Sequence, residues 1–161
     1  MPATAAPVTV PEPRIIRFET PHHIVRTVEP SDATERWCKW LLDPEAVRVL
    51  NTQAREMSMD PLHAYIARFD RSTGHLFGIF DKITGLIVGM RSLYVDYKAK
   101  EFLDNILIGE PDERGKFARA ESTEVIVPYF FDGLDLERWR ITVLGHNTRM
   151  VEAALRRGMT R

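Results

Sequence analysis

Residues 106–121 read ILIGEPDERGKFARAE: an apolar run, a charged turn holding Gly109 and Gly115, and the opening of a further element. How this stretch is read decides the fold. As a nucleotide loop of the form G-x-x-x-x-G-K-[ST] it fails. Five residues separate Gly109 from Gly115, and Phe117 follows Lys116 where a magnesium-binding hydroxyl is needed. As strand, glycine turn and helix it is coherent. Amides at a helix N-terminus lack intrahelical partners and the helix dipole favours negative charge there, so such a turn suits an anion. Arg114 and Lys116 add positive charge, and Gly115 lets a ligand approach the backbone. Glu110, Asp112 and Glu113 are expected to face solvent. The competing reading is an exposed charged turn with no ligand.

Upstream of this stretch the pattern is a meander. GHLFGIF (74–80), the turn DKITG (81–85), LIVGMRSLYVDY (86–97) and FLDNILIG (102–109) read as three consecutive strands. Earlier still, RIIRFET (14–20) and HHIVRTV (22–28) flank Thr20-Pro21 as a bent strand or small hairpin. Helices follow: a capping box of Asp32 and Glu35 opens the first, and Asp43-Pro44 opens a second with Ala46, Val47 and Leu50 on one face. Asp60-Pro61 opens a third by the same device. Downstream, Val125, Ile126, Tyr129 and Phe130 mark a helix with Pro128 inside it, which predicts a kink or a missing backbone bond. ERWRITVLG (137–145) is a strand, and Asn147 opens a last helix stopped by Gly158. The order is a mixed α/β layout.

Composition narrows the function classes. At 161 residues the chain makes one domain with a sizeable core, and residues 1–13, rich in Pro and Ala, read as a disordered leader ahead of the domain at 14–161. A net charge of −1 offers no global field for nucleic acid or an anionic membrane, so neither is expected as a partner. Cys38 is the one cysteine, which excludes an internal disulfide and a cysteine zinc cluster. With no apolar run of membrane-spanning length and no signal peptide, a cytoplasmic protein is expected. His22 and His23 alternate across a strand and are not expected to share a metal. Trp37, Trp40 and Tyr65 read as core aromatics at helical spacing. Cys38 reads as a small buried residue rather than a nucleophile.

Four stretches together resemble the acetyl-CoA-dependent acyltransferases of the GNAT superfamily, closest to the ribosomal-protein-alanine acetyltransferase branch. They are RTVEPSDA (26–33), LLDPEAVRVL (41–50), residues 106–121 quoted above, and GHNTRMVEAALRRGM (145–159). The resemblance implies a mostly antiparallel central sheet, flanked by helices, in which the fourth and fifth strands splay apart to admit the pantetheine arm. It implies that Ile106, Leu107 and Ile108 offer that arm a strand edge. The amides from Arg114 through Gly115, Lys116, Phe117 and Ala118 to Arg119 would hold the CoA pyrophosphate. Asn147 would bond the pantetheine or orient the site, and Asp104 would assist deprotonation of the attacking amine. For Trp37, Trp40 and Tyr65 the resemblance implies an acceptor-side role as the alternative to a place in the core. The implied reaction moves the acetyl group of acetyl-CoA directly to a primary amine, either a protein N-terminus or a small molecule, with no metal. The rival expectation is a catalytically silent CoA-binding or interaction module.

The chain departs from the family pattern at three places. Phe117 and Arg119 stand where the family prefers small residues, so Phe117 is expected to narrow the loop and Arg119 to pair with a phosphate. Met150 occupies a region that often carries Ser or Tyr. The sequence stops at GMTR (158–161), short of the two strands that would close the sheet, which leaves an open edge suited to truncation or to pairing in a homodimer.

Overall fold

The computed structural model describes residues 6–46 and 57–161. Its centre is a six-stranded sheet: β1 (Arg17–Glu19), β2 (His23–Thr27), β3 (Gly74–Asp81), β4 (Ile87–Asp96), β5 (Glu101–Ile108) and β6 (Arg138–Ile141), side by side in that order. The first five strands pair antiparallel with their neighbours; β6 alone runs parallel to β5. The meander expected from sequence is therefore present, and Thr20-Pro21 turns a β1–β2 hairpin. The β3–β4 turn works as its residues dictate. Asp81 Oδ1 accepts from the amides of Ile83 and Thr84, and Gly85 adopts a φ of 72° that favours glycine.

Each face of the sheet has its own core. Val25, Phe77, Ile79, Leu93 and Phe102 face α3 (Ala118–Pro128), which contributes Ala118 and Ile126. On the other face Val28, Leu76, Phe80, Ile87 and Leu107 pack with Trp37 and Trp40, and with Leu62 and Ile66 of α2 (Met59–Ala67). Trp37 belongs to the short α1 (Glu35–Cys38), and Trp40 to the 3-10 turn that continues it. Leu76 with Phe77 on β3 shows how alternation feeds both cores from one strand.

Local expectations are corrected at the helix starts. Asp32 does not cap α1. It lies in a 3-10 turn with Glu29, and both its oxygens are taken by the Arg26 guanidinium at 2.8 Å each. Thr34 is the cap, its Oγ1 accepting from Trp37 N at 3.2 Å. α2 starts at Met59 behind Ser58, so Pro61 sits in the third helical position, still within the turn that needs no proline N–H. The helix expected from Pro44 is present at residues 44–46, with Ala46 buried; Val47 and Leu50 lie outside the described residues. Pro128 ends α3, and the chain widens into a π turn, Tyr129–Gly133, consistent with the backbone bond that proline removes.

α4 (Thr148–Arg156) begins at Asn147, whose Oδ1 accepts from Met150 N at 3.4 Å. It ends at Gly158 with φ 81°, where Met159 N donates to Ala154 O. Ahead of β1, residues 6–13 form neither helix nor strand. Pro11 O accepts from Ser72 Oγ, and Arg14 N donates to Arg71 O, where the chain joins the fold. Among the described residues no helix is long and apolar enough to cross a membrane.

Candidate functional site

The pairing of β5 with β6 stops at Asp104↔Ile141. Beyond that point β5 stays bonded to β4, Arg91↔Ile106, Met90↔Leu107 and Gly89↔Ile108, while its other edge has no strand beside it among the described residues. The gap holds two adjoining cavities. The inner one, about 180 Å³, is lined by Asp104, Asn105, Thr123, Trp139 and Ile141. The outer one, about 440 Å³, is lined by Leu107, Ile108, Arg114, Gly115, Lys116 and Arg149. Ile106, Arg119, Asn147 and Met150 border both, forming a waist between them.

The loop from β5 to α3 borders the outer cavity through Arg114, Gly115 and Lys116, and the first turn of α3 borders it through Arg119 and Ala120. Glu121 N is the first of α3 to reach a carbonyl of the preceding turn, Phe117 O at 2.9 Å, so the amides of Ala118, Arg119 and Ala120 carry no helical bond. Gly115, at φ 77°, makes the bend that a side chain would resist. Arg149 of α4 reaches across to this bend, its Nη2 within 3.3 Å of where a Gly115 Cβ would lie. Lys116 is exposed beside it.

Three loop side chains do other work than expected. Arg114 turns inward: Nε donates to Ile108 O (3.0 Å), Nη2 to Gly109 O (3.2 Å), and Nη1 pairs with Asp43 (2.8 Å). It ties the loop to β5 and to the start of the Pro44 helix, and takes up a carbonyl of the strand edge. Phe117 does not fill the loop. Its ring stacks on His22 at 4.3 Å and 3° between planes, and it lines neither cavity. Glu110 does not face solvent: it accepts from Arg36 Nε (2.5 Å) and Nη2 (2.9 Å) and from Trp40 Nε1 (3.0 Å). Burial would raise the Glu110 carboxyl, but these bonds outweigh it and hold it below the ordinary glutamate value. Trp40 lies so close over Gly109 that a Cβ there would sit 1.9 Å from its ring. The tryptophan is thus a core residue that sets the height of the loop.

The two histidines converge on one acid. Glu121, buried in the first turn of α3, accepts from His23 Nδ1 (2.5 Å), His22 Nδ1 (2.7 Å), His22 N (3.2 Å) and Thr20 Oγ1 (3.0 Å). Burial pushes its carboxyl up, yet the His22, His23 and Thr20 bonds bring the balance below the ordinary range. The β1–β2 turn is thereby fastened to the first turn of α3.

Asp104 lies in the wall of the inner cavity with both oxygens engaged. Arg91 grips it through Nη2 and through Nε at 3.1 Å, and Trp139 Nε1 donates at 3.1 Å. Arg91 in turn donates to Ser122 and Thr123 of α3 (2.9 and 2.8 Å). This arrangement locks strand to helix, with three donors on a carboxylate that has about four acceptor sites. Asn147 uses Oδ1 in its cap and keeps an NH₂ at the waist. Tyr65 has its phenol pushed up to about 12, chiefly by burial, so it stays neutral. Cys38 is buried. Sequence reasoning missed Arg149, whose signal was present: 149, 153, 156 and 157 fall on one face of a helix and all line the outer cavity.

The profile of a family described as the acetyltransferase (GNAT) domain matches residues 22–160. No curated protein matches the sequence significantly. The fold is similar to an acetyltransferase (GNAT family) from Bacillus anthracis, TM-score 0.73 at 14% identity, covering 91% of this chain and 84% of that one. It is similar to a GCN5-related N-acetyltransferase from Brucella melitensis, TM-score 0.73 at 16% identity over 91% of this chain and 68% of the other. It is also similar to the ribosomal-protein-S5-alanine acetyltransferase from Vibrio fischeri, TM-score 0.69 at 14% identity over 91% and 84%.

Proposed function

The chain belongs to the GNAT acetyltransferase family and is an acyltransferase, and from that premise we propose that it moves the acetyl group of acetyl-CoA directly to a primary amine. The observation that carries this reading is the pair of adjoining cavities that runs from the free edge of β5 to the first turn of α3, where the amides of Arg119 and Ala120 carry no helical bond. In it the CoA phosphates lie at those amides, with Arg149 and Lys116 alongside. The pantetheine arm follows Asn105, Ile106 and Leu107 to the waist, where the Asn147 NH₂ meets it. Arg114 acts on the phosphates only by shaping the loop.

The transfer needs a neutral amine, a polarised thioester and a leaving thiolate. An edge amide of β5 donates to the carbonyl oxygen as it gains charge, at no cost of reorganisation. The amine attacks the carbonyl carbon, the C–S bond breaks as the C–N bond forms, and the amine proton leaves through water in the cleft. Asp104 serves as the anchor of Arg91 and Trp139 rather than as the base. With Cys38 buried, its thiol is not open to form a covalent acyl intermediate, which fits direct transfer. The Vibrio fischeri neighbour's name points to an alanine of a ribosomal protein, which supports a protein acceptor among the amines considered. The silent-module alternative loses one of its motives, because Phe117 stands outside the cavities.

Thiol release from acetyl-CoA with a panel of peptides and small amines tests the reading. Release that depends on the amine, with no acetylated protein in the mass spectrum, is expected. Saturable acetyl-CoA binding without any amine-dependent release would overturn the transferase assignment for this chain.

A further inference from the structure

Three arginines stand in the wall of the inner cavity: Arg91, Arg119 and Arg157. Arg91 is neutralised by Asp104. Arg119 is not neutralised: among the described residues no carboxylate pairs with it, and its side chain bonds only to Met150 Sδ, from Nη1 at 3.0 Å. A thioether is a weak acceptor. Burial pulls Arg119 below the ordinary arginine range, with Arg91 acting the same way and Asp104 opposing both. A half-buried cation between other cations is costly until an anion arrives.

The question is which part of the donor brings that anion. In the transferase reading the phosphates sit in the outer cavity, at the amides of Arg119 and Ala120 with Lys116 and Arg149. Arg119 borders both cavities, and in the inner one it shares the wall with Arg91 and Asp104 on the sheet side and with Arg157. Its Nη1 rests on Met150 Sδ at the waist, so the guanidinium stands at the mouth of the inner cavity. A pantetheine arm reaching that mouth carries amides and a thioester, none of them charged. Only the acyl group can deliver negative charge there. The space exists: about 180 Å³ is more than tenfold the ~15 Å³ that a single water needs.

We propose that the inner cavity takes a short acyl chain ending in a carboxylate, as in malonyl- or succinyl-CoA, with Arg119 as the carboxylate's partner and Arg157 beside it. This rests on the transferase reading above and names its donor class more closely. The chemistry is that of any amide-forming transfer: the C–S bond breaks, the C–N bond forms, the amine proton goes to water, and CoA departs as thiolate. The terminal carboxylate is unchanged and only bound.

Calorimetric titration of the full chain with acetyl-CoA and succinyl-CoA, on the natural protein, Arg119→Met and Arg119→Lys, decides the matter. Circular dichroism establishes that each variant is folded. The natural protein is expected to bind succinyl-CoA roughly tenfold or more tighter than acetyl-CoA, the worth of a charge-assisted pair. That ratio should fall to about one in Arg119→Met and lie between in Arg119→Lys, which keeps the charge without the planar fork. Equal affinity for both donors in the natural protein overturns the inference. So does a ratio that survives Arg119→Met while both affinities drop, since Arg119 would then serve the phosphates. Failure of the folded natural protein to bind any CoA species would instead defeat the transferase reading, and this inference with it.

Discussion

Arg114 and Arg119 stand five residues apart around one loop–helix junction, and the fold uses them in opposite ways. Arg114 has two carbonyls and Asp43 around its guanidinium; Arg119 has a thioether. The same contrast divides the whole cleft. On the strand and loop side most charges are closed in pairs, Glu110 with Arg36, Glu121 with His22 and His23, Asp104 with Arg91, and Lys116 is the exposed exception. On the α4 side Arg149 and Arg157 line the cavities with no carboxylate partner among the described residues. Charged groups that satisfy one another build the frame, and those left open are available to a ligand. A charge's place in a motif does not reveal which of the two it is.

The largest effect should come from breaking the frame at its most buried pair. Asp104→Ala leaves the Arg91 guanidinium uncompensated, both side chains being only 2% exposed, and should cost about 3–5 kcal/mol of unfolding free energy in urea. Replacing both partners by apolar residues should recover most of that loss. If Asp104→Ala costs less than about 1 kcal/mol yet abolishes turnover, Asp104 belongs with the open groups and acts in the chemistry.

A smaller effect is expected at Glu121. Its carboxyl is held below the ordinary range in the folded state, so its contribution is present above the unfolded value of about 4.3 and is lost as pH falls through the lower folded value. Glu121→Gln should therefore lower stability at neutral pH by about 1–3 kcal/mol and flatten the decline below about pH 4. Parallel acid limbs for the two proteins in urea titrations at pH 3 to 7 would remove Glu121 from the frame.

Much of the fold was legible in the sequence because its signals are local. The meander is written in alternating runs with Asp81 and Gly85 at the turn, and the last helix in Asn147 and Gly158. The strand–glycine turn–helix order around Gly115 was equally local, and with it the unpaired amides that open α3. The fate of the charged side chains was not legible, since pairing depends on residues far off in the chain. Glu121 finds His22 across 99 positions and Glu110 finds Arg36 across 74. Phe117 looked like an obstruction by its size and place in the loop. Only the hairpin that brings His22 alongside gives its ring somewhere else to go.

One paired measurement bears most directly on the division between frame and ligand site: acetyl-CoA affinity and unfolding free energy for Arg149→Met beside Arg114→Met. Arg149→Met should weaken binding roughly tenfold while stability stays within about 0.5 kcal/mol. Arg114→Met should lose about 1–3 kcal/mol of stability, with weaker binding only as a consequence of a loosened loop. Undiminished affinity in Arg149→Met, together with a stable Arg114→Met that no longer binds, would contradict the assignment of both residues.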